Sequence, residues 1–116
     1  MEDKMKHLFN YSGYVTHIVD GDTIDVSLDL GFHVKLDVRL RLANINTAEL
    51  KSDVREVKES ALLAKNKLEE KILNRTVTID SKGKDRYGRW IAIVKLGNRD
   101  INKEMLTEGL AVEYKK

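Results

Sequence analysis

Three short stretches of this chain carry side chains suited to phosphodiester chemistry: Asp20-Gly21-Asp22-Thr23, Arg41 followed by Asn46-Thr47-Ala48-Glu49, and Asp85-Arg86-Tyr87-Gly88-Arg89. Asp22 shares the parity of Ile24, so its carboxylate is expected to point into the mouth of whatever the strands enclose, where a cation or a donor must meet it. Loop oxygens of Asn46 and Thr47 can gather round a hard cation without breaking a sheet ladder. Glu49 is a carboxylate able to orient or deprotonate an attacking water. Arg41 offers a planar fork that grips two oxygens of one phosphate, and Arg89 a second guanidinium for charge developing at phosphorus. Tyr87 supplies a ring for base stacking or a hydroxyl for a phosphate. Each stretch also has a plain reading: an Asp-Gly turn, a surface arginine paired with Asp37, turn chemistry at Asn46 and Thr47, and helix-entry charge at Glu49. Trp90 opens an apolar strand, and core packing is its expected role.

Positioning these residues requires a frame, and the hydrophobic periodicity supplies one. Residues 11–18 read as a first strand, closed by the Asp20-Gly21 turn. Ile24, Val26, Leu28 and Leu30 alternate with Thr23, Asp25, Ser27 and Asp29, the pattern of a half-buried strand. After Gly31 the same alternation resumes at Val34, Leu36, Val38, Leu40 and Leu42, which predicts a long hairpin. Val54, Val57, Ala61, Ala64, Leu68 and Ile72 then fall three or four apart, the stripe of an amphipathic helix. Asp53 and Glu56 read as a capping-box variant at its start, and Asn74 as its end. Strands follow over 76–80 and 90–96, then a short helix over 101–108 stopping at Gly109, and a final strand segment over 110–114. Three strands, a long helix, two strands and a short helix match a mainly β protein with helices (α+β), a five-stranded OB-fold barrel with its long helix between strands 3 and 4. A plain α+β sandwich is the structural alternative.

At 116 residues the chain fits one domain, taken as residues 10–116 behind a loosely ordered lead-in over 1–9. It contains no cysteine, which excludes disulfides and thiolate metal sites. The three histidines have no ligand spacing, so a bound metal would be hard and oxygen-ligated, such as calcium or magnesium. Net charge is only +2 although 34% of residues are charged, so positive charge is local: Lys82, Lys84, Arg86 and Arg89 crowd one loop segment, with Lys95 and Arg99 following, a patch able to hold a nucleic-acid phosphate backbone. No apolar run reaches membrane-spanning length and no apolar h-region follows Met1, so a cytoplasmic location is expected, or secretion if an export signal has been trimmed away. Nothing in the sequence demands a dimer, and a monomer is expected.

Taken together, Asp20-Gly21-Asp22-Thr23, the run from Arg41 to Glu49, Asp85-Arg86-Tyr87-Gly88-Arg89-Trp90, and Ile101-Asn102 through Gly109-Leu110-Ala111 resemble the staphylococcal nuclease (thermonuclease-like) family, over residues 11–114. The resemblance implies a calcium-dependent nuclease on an OB-fold barrel, acting on DNA and RNA, with magnesium or manganese as other candidate ions and single strands as the expected partner. It implies that Asp22 ligates the ion, that Thr47 gives its backbone carbonyl, that Asp20 supports the ligands from behind, and that Glu49 is the general base. Arg41 and Arg89 would bind and polarise the scissile phosphate, and Arg86 and Tyr87 would contact a terminal phosphate. The Asp29-Leu30-Gly31-Phe32 hairpin and the Ile45-Asn46 spelling look like a branch with short intracellular or phage-type members.

Two positions depart from the family pattern: Asn46 stands where an aspartate ligand is usual, and Ala48 where proline usually follows the threonine. One less negative charge should weaken calcium binding by roughly ten- to a hundredfold. The absent proline frees the unfolded loop, at a cost of about 0.4–1 kcal/mol. Besides the nuclease, two other functions fit the same residues: a non-catalytic OB-fold module that binds single strands, and a protein-interaction barrel. Arg41, Glu49 and Arg89 together favour the first, because a pure binder has no need of all three.

Overall fold

The computed structural model describes residues 9–114. Of the lead-in expected over residues 1–9, only Phe9 falls within them, and its carbonyl accepts the Ser81 amide at 3.0 Å; residues 1–8 lie outside the described residues. The alternating segments form β1 (Asn10–Asp20), β2 (Thr23–Asp29) and β3 (Lys35–Leu42), an antiparallel meander. In β2, Ile24, Val26 and Leu28 are buried while the intervening polar residues are partly or fully exposed. Register shifts in β1 after Val15 and Ile18 bend and twist the strand, as curvature into a barrel requires.

After the long helix, α1 (Arg55–Ile72), come β5 (Thr76–Lys84), paired with β1, and β6 (Trp90–Leu96), paired with β5. Parallel pairing of β6 with β3, with Leu40 opposite Trp90 and Leu42 opposite Ala92, closes the ring. The result is the expected five-stranded OB-fold barrel, not an open sandwich. Three small elements complete it: α2 (Ile101–Thr107), β7 (Arg99–Asp100) against β6, and β4 (Ile45–Asn46) against β8 (Val112–Glu113).

The core is continuous from the barrel interior to α1. Val15, Ile18, Ile24, Leu42 and Val94 meet Ala64, Leu68 and Ile72 of the helix, all fully buried. Burying each of the larger aliphatic side chains contributes about 1.5–3 kcal/mol relative to exposure. α1 starts later than its stripe predicts. Its N-cap is Val54, which makes no side-chain cap, so the expected Asp53–Glu56 capping box is not formed; instead Ser52 Oγ accepts the Val54 amide at 3.1 Å. Val54 is accordingly 54% exposed. Asn74 ends the helix region as expected, with φ at 61°, a left-handed conformation that asparagine tolerates better than most residues.

The hairpin overshoots the barrel. Val34 and Leu36, inward by alternation, are 49% and 48% exposed. β6 joins β3 only from Leu40 onward, so among the described residues no strand pairs with residues 35–39 on that side. Between α1 and α2, Lys71 Nζ donates to Glu104 and Glu108 at 2.9 and 2.8 Å, and Arg99 grips Glu104 with two bonds of 2.7 Å. Hydrogen bonds from Arg99, then Lys71, hold the Glu104 carboxyl down to about 2. Arg99 is therefore committed to a structural pair and leaves the basic patch in which the sequence placed it. Among the described residues no helix is long and apolar enough to cross a membrane.

Candidate active site

The turn between β1 and β2 is pinned from two sides. A Cβ on Gly21 would lie 2.7 Å from Cβ of Ala64 on α1 and 3.1 Å from a methyl of Thr47. Only glycine lets the turn approach the helix and the 47–49 loop this closely. Asp22 is thereby buried, at 8% exposure. Its Oδ1 accepts the Thr23 hydroxyl at 3.0 Å, and its Oδ2 accepts the Thr47 amide at 3.1 Å and Arg41 Nη2 at 3.5 Å.

Arg41 is not the surface arginine that its strand parity allowed. It is 8% exposed, and Tyr114, just after β8, brings its ring centre to 5.2 Å from the Arg41 guanidinium carbon. Nη2 donates to Asn46 Oδ1 at 2.9 Å, so the side chain is braced by Asp22, Asn46 and Tyr114 and not by Asp37.

Asp22, Arg41, Glu49 and Arg89 line one cleft of about 470 Å³, together with Asp20 and Thr47. The four residues that the sequence assigned to chemistry, spread over three separate stretches, thus share a solvent-accessible space. Asp20 is pushed above its usual value by burial first and then by the neighbouring carboxylates of Asp22 and Glu49, against the opposing pull of Lys65 and Lys51.

Arg89 is held by its own turn. Asp85 Oδ1 accepts the amides of Tyr87 and Arg89, both at 2.9 Å, and Oδ2 accepts Arg89 Nε at 2.7 Å. Burial raises the Asp85 carboxyl, but these bonds outweigh it and hold the group below its ordinary value. Gly88, at φ 79°, provides the left-handed residue the turn needs. The other residues assigned to nucleic acid do not line this cleft. Tyr87 is 69% exposed, with the guanidinium carbons of Arg86 and Arg89 at 5.6 and 5.4 Å from its ring centre. Lys82 pairs with Asp80 at 3.1 Å, and Lys84 Nζ lies 4.4 Å from the ring centre of Trp90. Lys82 and Lys84 stand on the extension of β5, not in a loop. Trp90 itself is 43% exposed, which corrects the expectation of core packing: it is the first residue of β6, opposite Leu40 at the rim of the barrel, where it lines an open apolar recess with Leu28 and Leu36.

The donor set fits a hard cation. All candidate ligands are oxygens, Thr47 Oγ1 is buried without a hydrogen-bond partner, and negative charge is crowded at Asp20. Among the described residues no three Asp, Glu, His or Cys side chains converge on one point. Neutral oxygens of Asn46 and Thr47, with water, would therefore complete a shell around Asp22.

Three supporting residues escaped the sequence reading. Tyr114 braces Arg41, Thr23 orients Asp22, and Asn102 ties β6 to the end of β3 through bonds to Val94, Ala43 and Ala92 of 3.1, 2.9 and 3.1 Å. The partners of Tyr114 and Asn102 are distant in sequence or lie on the backbone, so no local pattern marks them, whereas Thr23 bonds its neighbour Asp22 and stood in the first stretch without a role; an asparagine in a buried helical stripe was the one available signal for Asn102.

Comparison with known proteins bears on the family. Protein ParB of Escherichia coli is 33% identical over 112 residues, covering 89% of this chain and 57% of that protein. A thermonuclease of Staphylococcus intermedius is 33% identical over 99 residues, 84% of this chain and 56% of the relative. An uncharacterized endonuclease of Haemophilus influenzae is 35% identical over 103 residues, 87% of this chain and 51% of its own. The chain spans little more than half the length of these relatives. The family model described as staphylococcal nuclease homologue matches residues 39–116, which include every site residue except Asp20, Asp22 and Thr23. With its closed barrel and its shared cleft, the chain belongs to the staphylococcal nuclease homologue family.

Proposed function

We propose that this protein is a calcium-dependent nuclease that hydrolyses phosphodiester bonds of DNA or RNA in single strands. The observation that carries the reading is the cleft shared by Asp22, Arg41, Glu49 and Arg89. A bound cation, held by Asp22, Asn46 and Thr47, would supply positive charge beside the phosphate and lower the pKa of bound water. Arg41 and Arg89 donate to the non-bridging phosphate oxygens and stabilise the charge that builds as phosphorus gains a fifth oxygen. Glu49, exposed in the cleft, orients a water for in-line attack and takes its proton. Because Arg41 is braced before substrate arrives, it needs little reorganisation at the moment of reaction. The larger, mainly apolar cavity on the far side of Arg41, about 620 Å³ and lined by Ile91, Ile93 and Tyr114, is suited to a nucleoside attached to the bound phosphate.

Cleavage of single-stranded DNA is expected with calcium and to be abolished by EDTA; a series with calcium, magnesium and manganese ranks the ions. Salt-dependent binding with no cleavage under any divalent cation would instead establish a non-catalytic binding module. The engagement of Asn46 by Arg41 and the absence of a three-carboxylate cluster among the described residues are the observations that favour that second reading.

The substitution Asn46→Asp tests the ion site directly. A carboxylate there adds a charged ligand while still accepting from Arg41, so calcium affinity should rise by roughly ten- to a hundredfold. Calorimetry showing unchanged affinity would remove Asn46 from the ligand set.

A further inference from the structure

The hairpin of β2 and β3 carries apolar surface that the barrel does not use. Leu30, Val34, Leu36 and Trp90 are half-exposed, and Phe32 is almost wholly exposed. Leu30, Leu36 and Trp90, with the buried Leu28 and Leu40, line an open recess of about 230 Å³ on the face of β3 opposite to Arg41. Apolar side chains exposed singly are ordinary, but a contiguous patch of them marks a surface made to be covered.

A free strand edge runs alongside this patch. The Leu42 N–H bonds the Asp22 carbonyl on the β2 side, and the Ala43 N–H bonds Ala92 on β6, both at 2.8 Å. Main-chain groups alternate sides along a strand, and β3 pairs with β2 without a register shift. Leu36 and Val38 therefore turn their N–H and C=O groups to β2, while Lys35, Asp37 and Arg39 turn theirs to the other side. Among the described residues no strand meets them there. Such an edge is a template for a further strand.

We propose that this edge pairs antiparallel with the same edge of a second copy of the chain, about a two-fold axis at Leu36. The result is a dimer where the sequence alone suggested a monomer. In that register Leu36 faces its counterpart, Val34 faces Val38, and Lys35 faces Asp37 on both sides of the axis. Opposite charges directly across a ladder stabilise it, and like charges oppose it. Asp37 has no ion pair of its own among the described residues, and Lys35 reaches only as far as the exposed Asp29, at 3.6 Å.

Neighbouring registers fail on the same grounds. An axis at Asp37 would set Asp37 against Asp37 and Lys35 against Arg39. An axis at Val38 would set Leu36 against Leu40, whose edge β6 already holds. The Leu36 axis employs the free main-chain groups of Lys35 and Asp37 and brings the two apolar recesses side by side on one face. Symmetric, self-complementary contact of this kind closes after two chains. Because the recess lies on the face away from Arg41, the pairing is independent of the nuclease reading.

Sedimentation equilibrium of the full chain over a concentration series tests this. The mass should rise from that of one chain toward that of two, and Leu36→Lys, which sets two ammonium groups together on the axis, should abolish the rise. Lys35→Asp and Asp37→Lys each turn both attractive pairs into repulsive ones and should weaken the dimer by roughly 5- to 100-fold. Mixing these two variants puts a carboxylate opposite an ammonium at both pairs, so the mixture should regain the affinity that neither variant has alone. All three positions are exposed, circular dichroism checks that each variant is folded, and misfolded chains could not rescue one another. A single-chain mass up to about 1 mM overturns the proposal, as does a dimer indifferent to these substitutions or a mixture that fails to recover.

Discussion

Replacing Arg41 by alanine is expected to slow phosphodiester cleavage by roughly 10²–10³-fold. The guanidinium lines the cleft with Glu49 and Arg89 and is pre-positioned by Asn46 Oδ1 at 2.9 Å and by the Tyr114 ring. Arg41→Lys should recover little of the lost rate, because an ammonium cannot hold Asn46 and present a planar fork to a phosphate together. Stability is a separate matter. Asp22 keeps the Thr23 and Thr47 donors when Arg41 is gone, so the folded state should survive with a loss of about 1–3 kcal/mol. Single-turnover cleavage of a short DNA strand, with a denaturant melt on the same samples, separates the two effects. Near-normal rates in the alanine variant would remove Arg41 from the reaction.

The largest loss of stability is expected from Asn102→Ala. Asn102 is 4% exposed, and its amide joins three backbone positions: the Val94 N–H and the carbonyls of Ala43 and Ala92. Ala92 O also accepts the Ala43 amide at 2.8 Å, so alanine at 102 strands two groups, Val94 N–H and Ala43 O. At about 1–3 kcal/mol for each unsatisfied group, the loss should be about 2–6 kcal/mol, or a fall in Tm of roughly 10–35 °C for a domain of this size. Asn102→Asp should be at least as harmful, since a carboxylate would face two carbonyl oxygens. Thermal melts followed by circular dichroism check this; a shift of only a few degrees would mean that water replaces the lost bonds and that Asn102 does not clamp β6 to β3.

These two side chains also mark the boundary between what was legible in the sequence and what was not. The alternation at Ile24, Val26 and Leu28, the three-and-four spacing from Ala61 to Ile72, and the left-handed turn at Asn74 are local signals, and the corresponding elements formed within a residue or two. The cap of α1 moved to Val54 because the side chain that accepts a bond there belongs to Ser52, not to Asp53. Residue types alone were enough to nominate Asp22, Arg41, Glu49 and Arg89, since hard-cation and phosphate chemistry draws on few side chains.

What lies opposite a given face could come only from distant segments. Val34 and Leu36 share the inward parity of Leu40, yet only Leu40 has β6 beside it. Arg41 has outward parity, yet it is buried beside Tyr114, seventy-three positions later in the chain. Trp90 reads as a core residue, yet it opens β6 at the rim of the barrel and is 43% exposed. Periodicity reports which side chains share a face of an element; burial, pairing and access depend on long-range closure of the barrel, which no local window of residues contains.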